Sequence, residues 1–252
     1  MVAVLVSSAN RVATVSFNRP EKLNAIGEDT VPELIAALTD IAGRDDIGAV
    51  VLTGEGTSFS AGLDLESDFG GSVTATYERL RTSVAAIVLM REMPQPIIAA
   101  VRGHAVGGGF ANAVACDMRI VSADARFLAP FSNIGMSAGD LGLTWLLPRL
   151  IGAGAAAKAF YAAKPIDAQE ALKLGLAEEI AEDPRARAIE LAEEIAAKPA
   201  FGVRHTKELL NASMYGQGFR EHLETEMRSQ VICSMSEDFA AAKERFAGSR
   251  KK

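Results

Sequence analysis

The spacing of apolar residues along the chain changes several times, and each change marks an element. Val2–Val6 and Val12–Phe17 are runs rich in β-branched residues on either side of the turn-forming stretch Ser7–Arg11, which predicts an opening antiparallel hairpin. From Glu28 to Ile41 the residues Val31, Leu34, Ile35, Leu38 and Ile41 recur at helical spacing and predict an amphipathic helix. Ile47–Leu52 is almost continuously apolar, as expected of a strand covered on both faces. A helix over Tyr77–Met93, a strand over Ile97–Val101, a small-residue helix around Ala111–Ala115 and a strand over Met118–Ser122 continue the theme. Strands alternating with helices in this way predict an α/β layered fold. Beyond Asp183 the pattern is helical only, with segments Arg185–Lys198, Phe201–Asn211, Phe219–Ser229 and Asp238–Phe246. These helices are short and broken by Pro199, Gly216 and Gly218, so they need a larger body to pack on. The chain therefore divides into a core over 1–183 and a C-terminal helical region over 184–252.

Composition narrows the function classes. With 252 residues and 49% hydrophobic content the chain can bury a large core unaided. Cys116 and Cys233 are far apart and form no CxxC pair, which suggests neither a disulfide framework nor a zinc site and fits a reducing cytoplasm. His104, His205 and His222 lack metal-ligand spacing, so no metal is expected. A formal net charge of −6 speaks against nucleic acid as the main partner. The apolar stretch of the first dozen residues is too short for a membrane span or a signal-peptide core.

Two glycine-containing turns carry the candidate chemistry. The first, Ser58-Phe59-Ser60-Ala61-Gly62-Leu63-Asp64-Leu65, follows a buried strand, and Gly62 permits backbone dihedrals that leave the next N–H available. The second runs from Val101 to Phe110 through Gly107-Gly108-Gly109 and opens a helix, whose first N–H groups lack intrahelical acceptors and attract developing negative charge. Either turn alone also reads as a tight connection. Neither has the spaced glycines and following acid of a dinucleotide fold, nor the lysine ending of a P-loop.

Taken in order, these turns belong to a wider pattern: Phe17–Ala25 (FNRPEKLNA), Val50–Gly54 (VVLTG), Ser60–Leu65, Ile98–Gly109, Ala115-Cys116-Asp117 and Leu146–Gly152 (LLPRLIG). Over essentially its whole length the chain resembles the crotonase family, also called the enoyl-CoA hydratase/isomerase family. The resemblance implies a spiral of ββα units with a C-terminal helical trimerisation region, a homotrimer or a hexamer, and an acyl-CoA thioester as ligand. Coenzyme A would then be part of the substrate, with no separate cofactor. It further implies an oxyanion hole made by the N–H groups of Leu63 and Gly108, with Ala61, Gly62, Asp64, Leu65 and Gly107 around the substrate. Arg19 and Lys22 would reach the coenzyme phosphates.

The family's hydratases use two glutamates, and the matching positions here are Ala111 and Phe131, neither of which can exchange a proton. Asp140, in the stretch Gly135–Trp145, stands where family isomerases and a dehalogenase place an aspartate. Facing an acyl pocket, its pKa would rise with burial and it would shuttle a proton between carbons of one enolate, or position a water for hydration. An aspartate just before a helix also reads as a cap. Glu66 and Asp68 are reserve acids, His104 a backbone-bonded loop residue, Asp64 a brace for its turn, and Met136 and Trp145 pocket walls. Competing readings are an acyl-CoA isomerase or hydratase, an acyl-CoA-binding or scaffold protein without turnover, and an oligomeric structural protein.

Overall fold

The computed structural model describes residues 2–64, 72–214, 216 and 218–241. Strands β1 (Val4–Ala9) and β2 (Val12–Phe17) pair antiparallel, with Ala9 opposite Val12. The strand runs further into the expected turn than its composition suggested. Only Asn10 and Arg11 turn the chain, both at positive φ (50° and 64°), the backbone that matches the twist of a two-residue hairpin. Ser7 and Ser8 are instead paired across to Thr14 and Ala13.

Three strands then add in parallel, β3 (Ala49–Gly54), β4 (Ile97–Val101) and β6 (Met118–Val121), with β9 (Glu179–Ile180) at the edge. Among the described residues the order is β1-β2-β3-β4-β6-β9. The continuous apolar runs of β3 and β4 follow from burial on both faces. Val50, Leu52, Ile97, Ala99 and Val101 face one core with α1 (Thr30–Ala42) and α2 (Val73–Glu92), while Ala49, Val51, Ile98 and Ala100 face another. That second core is closed by α7 (Pro184–Ala196), the first helix after the division expected at 183. Ala188, Ala192 and Ala196 recur every fourth residue, a small-residue ridge that lets α7 lie directly on the sheet, and a Cβ at Gly48 would come within 2.8 Å of Ala196.

A second, smaller layer consists of β5 (His104–Val106), β7 (Arg126–Leu128) and β8 (Ile166–Asp167). Bridges from Ser60 to Ala105 and from Ile26 to Leu63 extend it. Each pass of the chain therefore feeds the large sheet, the small layer and then a helix. Helices α3 (Gly108–Ala115), α4 (Leu143–Ile151), α5 (Ala153–Ala162) and α6 (Ala168–Leu174) fill the intervals. The small layer had no sequence signal, because strands of two or three residues are too short to show a period.

Helices α8 (Ala200–Met214) and α9 (Phe219–Ser234) follow, and residues 237–241 are again helical. The rest of the expected Asp238–Phe246 helix lies outside the described residues. A buried polar group ties α8 to the core. Lys207 Nζ donates to Met90 O (2.9 Å) and Gln95 O (2.9 Å) and pairs with Asp117 Oδ2 at 3.0 Å. Asp117 also accepts from Ile97 N (2.8 Å), at the start of β4, and pairs with Arg91. Burial pushes the Lys207 ammonium below the usual lysine range, with Asp117 acting against it. Removing one partner of a buried pair leaves the other charge and two carbonyls without their cation. Lys207→Met is therefore expected to lower stability by about 3 kcal/mol in urea unfolding, and an unchanged midpoint would remove this residue as the anchor of α8.

Candidate functional site

The two turns singled out in the sequence lie against each other. Ser60 N donates to His104 O (2.9 Å) and Val106 N to Ser60 O (3.0 Å), so the first turn is held along β5 by a short parallel ladder. On its other side Gly62 O accepts from Ile26 N (2.7 Å) and Asp64 N donates to Ile26 O (3.1 Å). Gly62 sits at φ +81° with the position of its missing Cβ pressed on the Val106 carbonyl and 3.5 Å from Gly108 N. Any side chain there would force the turns apart and strain the backbone. A Cβ at Gly109 would come within 2.6 Å of Ser60 O, so the start of α3 is as tightly seated as the turn it meets.

This arrangement leaves two backbone donors without acceptors among the described residues, on turns that meet at Gly62. Leu63 N–H follows Gly62 and has no acceptor among the described residues, while the bonds of its neighbours Gly62 and Asp64 are both made. Gly108 is the first residue of α3, where the N–H has no intrahelical acceptor; the first bond of the helix is Ala111 N to Gly107 O at 2.9 Å. The positive end of the α3 dipole adds to the same place.

Asp64 braces its turn. Its Oδ2 is 2.8 Å from Arg19 Nη2 and 3.2 Å from Lys22 Nζ, and Arg19 Nη1 also donates to Ala25 O at 2.8 Å. Arg19 is largely buried in this role, whereas Lys22 keeps a more exposed side chain at the turn's outer edge. Ala61 N donates to Leu23 O (2.9 Å), which completes the attachment. Leu65, Glu66 and Asp68 lie outside the described residues.

Asp140 is placed differently from Asp64. The helix behind it, α4, starts from Gly142 without a side-chain cap, so Asp140 does not cap it. Its backbone closes the turn, with Asp140 N donating to Ala138 O (2.8 Å) and Leu143 N to Asp140 O (2.9 Å). The carboxylate is half-buried, pairs with no described residue, and is pushed above the usual aspartate range by burial alone. The next residue, Leu141, reaches the first turn of α3, its Cδ1 within 3.6 Å of where a Cβ of Gly108 would stand.

Ala111 and Phe131 are both buried, and the Phe131 ring edge is 3.8 Å from the Cβ position of Gly107. That wall is hydrocarbon. Met136 and Trp145 are exposed, and Trp145 carries the Arg149 guanidinium 3.5 Å over its ring. His104 is exposed within β5. Cys116 is fully buried and its thiol is pushed up to about 12, far from a reactive thiolate. No cluster of three or more potential metal ligands and no helix long and apolar enough to cross a membrane occurs among the described residues.

Three residues at this site had escaped the sequence reading: Ile26 and Leu141, which flank Gly108, and Asn112, buried one turn into α3 with Nδ2 donating to Gly108 O at 2.8 Å. A polar residue inside the otherwise apolar stretch Gly108–Ala115 was the available signal for Asn112.

Residues 7–252 match the model of the family described as enoyl-CoA hydratase/isomerase. The chain is 33% identical over 234 residues to the probable enoyl-CoA hydratase EchA12 of Mycobacterium tuberculosis, covering 88% of this chain and 81% of that protein. It is 34% identical over 217 residues to the short-chain-enoyl-CoA hydratase of Clostridium acetobutylicum, covering 84% and 82% respectively. The crystal structure of enoyl-CoA hydratase from Bacillus anthracis superposes with a TM-score of 0.94 at 30% identity, over 98% of this chain and 96% of that one. The chain belongs to the enoyl-CoA hydratase/isomerase family.

For an enoyl-CoA hydratase/isomerase fold the close seating of the two turns is the demanding feature, and it can be tested without a substrate. Gly62→Ala is expected to lower stability by roughly 1–3 kcal/mol, from positive φ and the clash with Val106. Gly154→Ala, inside α5 with no atom within 4 Å of its Cβ position, is expected to raise stability by about 0.5–1 kcal/mol. Paired thermal melts read both, and equal shifts of the same sign would contradict the packing described for Gly62.

Proposed function

We propose that this enoyl-CoA hydratase/isomerase-family protein binds an acyl-CoA thioester with its carbonyl oxygen between the N–H groups of Leu63 and Gly108, and isomerises the acyl group by proton transfer through Asp140. The observation that carries the proposal is the state of the Asp140 carboxylate: half-buried, unpaired among the described residues, and one residue from the Leu141 side chain that touches Gly108. Asp140 would take a proton from one carbon of the acyl group. The electron pair would delocalise onto the thioester oxygen, where two fixed donors and the α3 dipole bind the oxyanion more strongly than the neutral carbonyl. Return of a proton from the Asp140 carboxyl, which exchanges with solvent, to a different carbon would complete the shift of the double bond with no net gain or loss of atoms. One carboxyl suffices for this. The two-glutamate addition of water finds no second acid at Ala111 or Phe131, and the Phe131 ring makes that wall apolar.

The raised pKa fits a base that must also give its proton back, because a carboxyl closer to neutrality exchanges protons in both directions more readily. The same burial has a stability sign. The raised folded pKa favours the protonated carboxyl, so its stabilising contribution is complete below the unfolded aspartate pKa and is lost as pH rises through the folded value. Lys22 at the outer edge of the first turn would meet the coenzyme phosphates, and Met136 and Trp145 would bound the acyl end. We also assign a homotrimer or a hexamer, assembled through α8 and α9. Leu223, Met227 and Val231 recur every fourth residue on α9 and are exposed in the single chain. Sedimentation is expected to give such an assembly, and a concentration-independent monomer would reject it.

Asp140→Asn tests the chemistry. With enoyl- and dienoyl-CoA thioesters in deuterated water, wild type is expected to exchange acyl protons and form the isomer. The variant should lose about 10²–10⁴-fold in rate while its thioester affinity changes little. The wild-type rate should rise with pH through a value above the usual aspartate range, and the variant should show no such limb and be at least as stable as wild type at neutral pH. Full turnover in Asp140→Asn would end the proton-transfer role. A product heavier by one water would point to hydration instead, and tight binding without exchange in wild type would point to a non-catalytic acyl-CoA-binding protein.

A further inference from the structure

Behind the two side chains that flank Gly108 lies a small cavity of about 20 Å³, lined by Ile26, Thr30, Leu34, Ser83, Asn112 and Leu141 among others. Most of this lining is hydrocarbon, but three helices each present one polar group: Thr30 from α1, Ser83 from α2 and Asn112 from α3. The Asn112 side chain is 4% exposed. Its Nδ2 donates to Gly108 O at 2.8 Å, which fixes the orientation of the amide, because turning it over would set oxygen against oxygen. Asn112 Oδ1 is then a buried acceptor with no partner among the described residues. Leaving such an acceptor unpaired carries its full desolvation penalty.

The other two groups complete a set of partners. Thr30 Oγ1 accepts from Gly27 N at 3.1 Å, and its own hydrogen is donated to no described residue. Ser83 Oγ donates to Arg79 O at 3.2 Å, so its lone pairs can accept. A water needs two to four polar partners and roughly 10–15 Å³ to be held in a protein interior. The cavity meets both conditions for a single oxygen and has no room for a second.

We propose that this cavity is a binding site for one O–H donor, which donates to Asn112 Oδ1 and accepts from Thr30 Oγ1; a water has a second hydrogen for Ser83 Oγ, a hydroxyl does not. In the ligand-free protein the donor is an ordered water. It joins α1, α2 and α3 directly behind Ile26 and Leu141, and so supports at once the start of α3, through Asn112 and Gly108 O, and the turn that carries Asp140. Asn112 is thereby a positioning residue. The same chemistry can come from a second source, a hydroxyl on the acyl group of a bound thioester, which would enter past Leu141 and replace the water. Only this second source rests on the thioester reading above.

A high-resolution crystal structure of the ligand-free protein is expected to show one oxygen within hydrogen-bond distance of Asn112 Oδ1, Thr30 Oγ1 and Ser83 Oγ. A dry cavity overturns the proposal. Unfolding of Asn112→Leu gives an independent reading. With the oxygen in place the variant breaks a satisfied network and its midpoint falls, whereas in a dry cavity it relieves an orphan acceptor and its midpoint rises. Binding of two acyl-CoA thioesters that differ by one hydroxyl then separates the sources. A preference of about tenfold or more for the hydroxylated thioester, absent in Asn112→Leu and accompanied by loss of the water, assigns the donor to the substrate. Equal affinity with the water retained assigns it to water alone.

Discussion

The seating of Gly62 against the Val106 carbonyl is the contact on which the site depends. It brings two backbone turns, more than forty residues apart in the chain, into contact, with the N–H after one glycine and the first N–H of a helix both free of acceptors among the described residues. Neither donor belongs to a side chain, so the chemistry they offer is fixed by the path of the main chain and by the absence of a Cβ. The rest of the architecture serves that approach. The large sheet delivers both turns from the ends of β3 and β4, the small layer clamps them through Ser60 and Ala105, and the Arg19–Asp64 pair holds the outer end of the first turn. Backbone donors held in this way need no reorganisation when charge develops opposite them, which is why such sites stabilise oxyanions better than water does.

Three aspartates show how environment divides one residue type among different tasks. Asp64 is surrounded by Arg19 and Lys22 and serves as a strut. Asp117 binds Lys207, Arg91 and the N–H of Ile97, and so joins α8, α2 and β4 at the far end of the sheet. Both carboxylates meet cations within a few ångströms, and their charge is spent on holding elements in place. Asp140 meets none among the described residues, and burial raises its proton affinity without an opposing charge. The group with the fewest attachments is thus the one whose proton affinity is raised, in keeping with the way different environments separate chemically identical carboxyls.

The small cavity behind Ile26 and Leu141 extends this logic to the inner wall. Hydrocarbon packing fixes distance, but it does not fix orientation as hydrogen bonds do. Asn112 bears on both, since one arm of its amide holds the Gly108 carbonyl and the other is a buried acceptor with no partner among the described residues. Sites built on rigid elements hold their geometry through such supporting hydrogen bonds.

The sequence by itself determined the layered α/β class, the long strands and helices, and the two glycine turns. Each of these rests on local physics: apolar periods long enough to count, as in α1, β3 and β4, and glycines where a side chain cannot fit. The family pattern added the order of the turns and singled out Asp140. Tertiary structure alone decided three things. The strands β5, β7 and β8 exist only because neighbouring strands pair with them, since two or three residues carry no period of their own. The helix α7 belongs to the core because its alanines meet Gly48 and the back of the sheet, a match that becomes visible only when both partners are placed. The division of labour among Asp64, Asp117 and Asp140, and the place of Asn112, depend on which cations and carbonyls come near them from distant segments. Side-chain chemistry is written in the chain, but the field that tunes it is made by residues far away in sequence, and only folding brings them together.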